Sequence, residues 1–77
     1  MSVVVEGSVI RLSGRCGAGD AEVLLVALQE LPQSLVDLDG LERLHMAVAQ
    51  VLLAVRPTVR GTPDNPFLEE RVANLLR

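Results

Sequence analysis

The sequence predicts a small α/β domain. It has a mixed sheet of three to four strands packed with three helices, and an N-terminal β-hairpin that runs into a right-handed βαβ unit. Three observations carry this. Two short apolar runs, Ser2–Glu6 and Val9–Leu12, are separated by Gly7-Ser8, a tight-turn pair. A third run, Leu35–Leu38, follows a stretch with helical spacing. That run then turns at Asp39-Gly40 into a nearly unbroken apolar helix from about Leu44 to Val55, where only His45 and Gln50 are polar. Seventy-seven residues make one domain, 1–77.

Taken in order, the hairpin alternates so that Ile10 and Leu12 share one face and Val9 and Arg11 the other. Ser13–Gly19, SGRCGAG, reads as a glycine-rich loop. Asp20 then stands where a helix N-cap belongs, with Glu22 adding charge that suits the positive end of the dipole. Ala21, Leu24, Leu25, Leu28 and Leu31 recur at helical spacing, so a helix is predicted over 20–31, ended by Pro32. Its strand neighbours, Val9–Leu12 and Leu35–Leu38, should pair in parallel. Arg56-Pro57 closes the central helix. Thr58–Arg60 reads as a stub of edge strand, and Asn65-Pro66 as a helix start for 66–76, with Leu68, Val72, Leu75 and Leu76 on one face.

Composition narrows the function classes. All seven basic residues are Arg and scattered, and the net charge is −3, so no nucleic-acid stripe is expected. Arg without Lys, with much Ala, Val and Leu, is the pattern of a GC-rich bacterial genome. A single cysteine and the lack of a charged-then-apolar leader point to the cytoplasm. No apolar run is long enough to span a bilayer. Apolar residues make up 49% of a chain too short to hide them all, so a partner surface is expected.

The polar candidates each have a plain reading. Gly14–Gly19 lies between strand and helix, where phosphate loops sit, but Asp20 and Ala21 replace the Lys and Ser/Thr such loops need. His45 is the only histidine, with no nucleophile or ligand set around it, and serves best as a cap on the central helix. The alternative is a partner contact. Cys16 is a small loop hydrophobe or, beside Arg15 and a helix N-terminus, a reactive thiol. Asp37, inside an apolar strand, needs backbone N–H partners. A nucleotide-binding or enzymatic alternative would join the 14–19 loop to Asp37 and His45. No metal and no cofactor are expected.

The order hairpin, helix, strand, helix, with Val36-Asp37-Leu38-Asp39-Gly40 and Val51-Leu52-Leu53 at its centre, resembles the STAS domain, the family that includes bacterial anti-sigma factor antagonists. Val9-Ile10-Arg11-Leu12-Ser13-Gly14 and Ala21-Glu22 with Leu24 match its second strand and first helix. The resemblance covers roughly residues 2–56, a core followed by a loop and helix over 57–77. It implies a non-enzymatic protein-binding fold, with a kinase-like anti-sigma factor or the ATPase subunit of a transporter as partner. Where the family's helix opens with Asp, a phosphorylated Ser, Ser or Thr, and Gly, this chain has His45, Met46, Ala47 and Val48. Gly17 replaces an Asp common in antagonists. The resemblance therefore implies binding without serine-phosphorylation switching.

A helix apolar all round needs cover all round. Leu44, Val48, Val51, Leu52 and Val55 form a stripe for the sheet, and Met46, Ala49 and Leu53 a second stripe. The second is to be covered by the C-terminal helix, a second copy or another protein. The expected partner surface is the Leu41-to-Met46 loop with this stripe: Leu41, Arg43, His45, Met46, Ala49, Leu53 and Phe67.

Overall fold

A computed structural model describes residues 2–63, 65–68 and 70. Its elements run β1 (Val3–Glu6), β2 (Val9–Leu12), β3 (Gly14–Cys16), α1 (Ala18–Glu30), β4 (Leu35–Asp37), β5 (Leu41–Leu44), α2 (Met46–Val55) and β6 (Thr58–Arg60). The fold is the mixed α/β one expected, with a main sheet of four strands ordered β1-β2-β4-β6. β1 and β2 are antiparallel, and β2–β4 and β4–β6 are parallel. Val9 meets Leu35, Ile10 meets Val36 and Arg11 meets Asp37.

Two stretches read as loops are strands. Gly14–Cys16 pairs in parallel with Leu41–Leu44 as a second, two-stranded sheet. Turn-like composition hid the first, and its place between the Asp39-Gly40 turn and the apolar helix hid the second; each follows a main-sheet strand across a sharp bend. β2 bends at Ser13-Gly14, and β4 bends through a turn closed by the Leu41 N–H donating to the Leu38 carbonyl at 3.1 Å. Gly14 and Gly40 both have positive φ, +62° and +83°, and the Gly14 N–H donates to the Gly40 carbonyl at 2.9 Å. The two bends are thus one crease, and only glycine enters it freely.

The helices differ from expectation at their starts. α1 begins two residues early, with Gly17 as cap and Asp20 inside the first turn. The Asp20 carboxylate reaches back to accept the Gly17 N–H at 2.7 Å. α2 begins at Met46 because Leu44 is still strand. Asn65 caps the third helix, its Oδ1 accepting from Phe67 N at 3.0 Å and Leu68 N at 3.4 Å. Residues 66–68 and 70 are helical, and the remainder of the expected 66–76 helix, with Val72, Leu75 and Leu76, lies outside the described residues.

One face of the main sheet carries Val3, Ile10, Leu12 and Val36, all buried in one core with Leu24, Ala27 and Leu28 of α1 and Val48 and Leu52 of α2. Leu38, Leu41 and Cys16 complete it. Val55, assigned to the sheet stripe, is 42% exposed at the helix end. The opposite face presents Val4, Arg11, Asp37 and Arg60 in one cross-strand row. No described helix is long and apolar enough to cross a membrane.

Candidate functional site

The expected partner residues divide into two groups. Leu41 is fully buried in the core, so it is withdrawn from any surface. Its neighbours Glu42 and Arg43 are exposed, because a bulge in β5 lets both sit outside while Leu41 points in. Arg43 faces Arg15 on β3, and the two line an open groove of about 330 Å³ with Glu42 and Asn65. The Asn65 side chain donates to the Glu42 carbonyl at 3.5 Å, which ties the start of the third helix to β5.

His45 is the N-cap of α2, as one of its two readings had it. Its Nδ1 accepts the Ala47 N–H at 3.0 Å, and its own N–H donates to the Cys16 carbonyl at 2.9 Å. Met46 follows at 66% exposure, whereas Ala49 and Leu53 are half-buried. Phe67 is 80% exposed, while its neighbour Leu68 packs on the core.

The nucleotide-binding alternative comes together only in part. Cys16 O and His45 N join the ends of β3 and β5, so the starts of α1 and α2 lie side by side. Asp37 is elsewhere, on the face of the main sheet away from the helices. The Gly17 N–H is already taken by Asp20, and His45 Nδ1 by Ala47. Cys16 is buried, and its thiol lies within sulfur hydrogen-bond reach of the Ser2 and Ser13 carbonyls. Burial pushes that thiol up to about 11, with the Asp20 charge adding to the rise, so it is not the activated nucleophile.

Asp37 is the polar centre that sequence reasoning saw incompletely. Its Oδ1 accepts the Asp39 N–H at 2.9 Å, as a strand-end carboxylate should. Its Oδ2 also accepts from Arg60 Nη2 at 3.3 Å and lies 3.9 Å from Arg11 Nε, while Arg11 pairs with Glu6 at 3.4 Å. The Asp39 hydrogen bond first, and the two guanidiniums after it, hold the carboxyl below the usual range against the opposing effect of burial. The signal for this row was the strand register: Arg11 and Arg60 occupy the positions directly beside Asp37 on β2 and β6. Among the described residues no group of three or more His, Cys, Asp and Glu could hold a metal ion.

Comparison with models of known families, with curated proteins and with solved structures found no match.

Proposed function

We propose that the chain is a non-enzymatic, STAS-like protein-binding module, a regulatory or accessory subunit that engages its partner through the outer side of α2 and the start of the third helix. The observations that carry this reading are two exposed apolar side chains, Met46 at the start of α2 at 66% and Phe67 at the start of the third helix at 80%, with half-buried Ala49 and Leu53 along α2 and exposed Arg43 and His45 just before it. Apolar anchors inside a polar rim are how protein interfaces are built. The resemblance draws support from the strand order, with an antiparallel hairpin whose second strand pairs in parallel with β4. The candidate partners are a kinase-like anti-sigma factor or a transporter ATPase subunit, in the cytoplasm of a bacterium.

The test is cross-linking of the protein in its native host followed by mass spectrometry, with wild type, Met46→Glu and Leu53→Asp in parallel. A partner cross-linked through residues 43–53 and lost in both variants supports the module. A rise in melting temperature with ATP or GTP, lost on mutating His45, would instead favour the nucleotide-binding alternative.

A further inference from the structure

The exposed apolar side chains are not confined to α2. Of the seven large ones among the described residues, Val4 (36%), Val5 (48%), Val23 (44%) and Val26 (44%) lie on β1 and α1, at the opposite end of the sheet. Among the described residues β1 is an edge strand of the main sheet, paired only with β2. Its sequence, Val-Val-Val-Glu, holds no Lys, Pro or bulge of the kind that usually blunts an edge.

The hairpin geometry fixes which backbone groups are open. Gly7-Ser8 is a two-residue loop, so Glu6 and Val9 form the pair that closes it. Even-numbered residues of β1 therefore turn their N–H and C=O toward β2, in keeping with the Ser13 N–H donating to the Ser2 carbonyl at 2.9 Å. Val3 and Val5 turn theirs outward. An identical strand laid antiparallel, with Val3 opposite Val5 and Val4 opposite Val4, satisfies both outward residues of both strands. That register is symmetric about Val4 and places no charge opposite a like charge.

The helix layer says what kind of partner fits. α1 packs on β1 and beside α2, so two helices cover four strands. Strands are about 4.8 Å apart, and packed helices about 8–10 Å, so one helix spans two strands. The next helix beyond α1 thus belongs about 10 Å further out, above two further strands. On the helical wheel Leu24 and Leu28 face the core, half-buried Leu25 lies on one flank and Val23 on the other, with Val26 next to Val23 on the outer side of the helix. A bare strand from another protein would leave that second side wet, whereas a second copy supplies both strand and helix at the required spacing.

We infer that two copies of this chain associate through β1 and α1 about a two-fold axis at Val4, forming one eight-stranded sheet with the two α1 helices packed through Val23 and edged by Val26. This surface is separate from the one proposed on α2, so the two stand or fall independently.

The experiment is light scattering behind size exclusion at high micromolar concentration, on the full chain. Wild type is expected at twice the 8.3 kDa chain mass. Val5→Pro removes an outward N–H and no internal bond, and Val23→Glu places like charges across the axis on an exposed helix position; each is expected to halve the mass. Leu53→Asp is expected to leave it unchanged. Amide exchange at Val3 and Val5 should slow as wild-type concentration rises. A wild type at monomer mass, a dimer that survives Val23→Glu with its helical circular dichroism intact, or a dimer lost only in Leu53→Asp would each overturn the inference. If Val5→Pro fails to fold, Val23→Glu and the exchange measurement decide.

Discussion

Replacing Asp37 with Asn asks what the charged row on the sheet contributes. Asn keeps an oxygen for the Asp39 N–H but turns an amide toward Arg60 and Arg11. One charge-assisted hydrogen bond is lost, generally about 1.5–3 kcal/mol. The carboxylate side chain is only 7% exposed, which argues for the upper part of that range, but its arginines are 52% and 45% exposed and water recovers part of their charge. We expect about 1.5 kcal/mol at neutral pH, roughly 6–12 °C in melting temperature for a domain of this size. The pH dependence separates charge from packing. The folded-state carboxyl is held below its unfolded value, so its contribution is fully present above about pH 4 and is lost as pH falls through the folded value. Melting curves of wild type and Asp37→Asn from neutral to acid pH should therefore differ at pH 7 and converge in acid. Equal melting temperatures at pH 7, or a gap that persists unchanged in acid, would refute the electrostatic account.

Leu41→Ala should cost about 2–5 kcal/mol by urea denaturation, because this residue is core and not surface. His45→Ala should cost about 1 kcal/mol through loss of the α2 cap, and incubation with native-host lysate and labelled ATP should leave residues 45–47 unphosphorylated; phosphate on His45 would make it a switch. Gly61→Ala should cost about 1–3 kcal/mol, since a Cβ there would sit 2.8 Å from Asp37 Oδ1, Asp39 N and Asp39 Oδ1 with φ at +90°; unchanged thermal stability would contradict the close approach.

Local patterns announced the elements that are regular. Gly7-Ser8 between β-branched runs marked the hairpin, and the apolar spacing of Leu24 and Leu28 marked α1. The cap at Asn65 and the stub at Thr58–Arg60 were equally plain. What stayed hidden depends on partners distant in sequence. Gly14–Cys16 has the composition of a loop and becomes a strand only because Leu41–Leu44 lies beside it. Asp37 could be seen as needing hydrogen bonds, but Arg60, 23 residues away, enters through sheet register. Leu41 looked like the opening of a loop and is core because the bulge that follows turns Glu42 and Arg43 outward together. Val23 and Val26 fall outside the apolar stripe that marks α1, and nothing local says what either of them meets.

The glycine crease constrains handedness rather than volume. A Cβ on Gly14 would come no nearer than 4.0 Å to Glu42 Oε2, and one on Gly40 no nearer than 3.8 Å to Ser13 Cβ, so there is room at both places for a methyl group. What excludes alanine is the sign of φ, which an L-residue resists and its mirror image prefers. In a 77-residue chain made by chemical synthesis, D-alanine at either position would adopt the φ that L-alanine resists, and it would stiffen the unfolded chain as well. The two bends share the hydrogen bond from the Gly14 N–H to the Gly40 carbonyl, so a backbone change at either glycine is felt at the other.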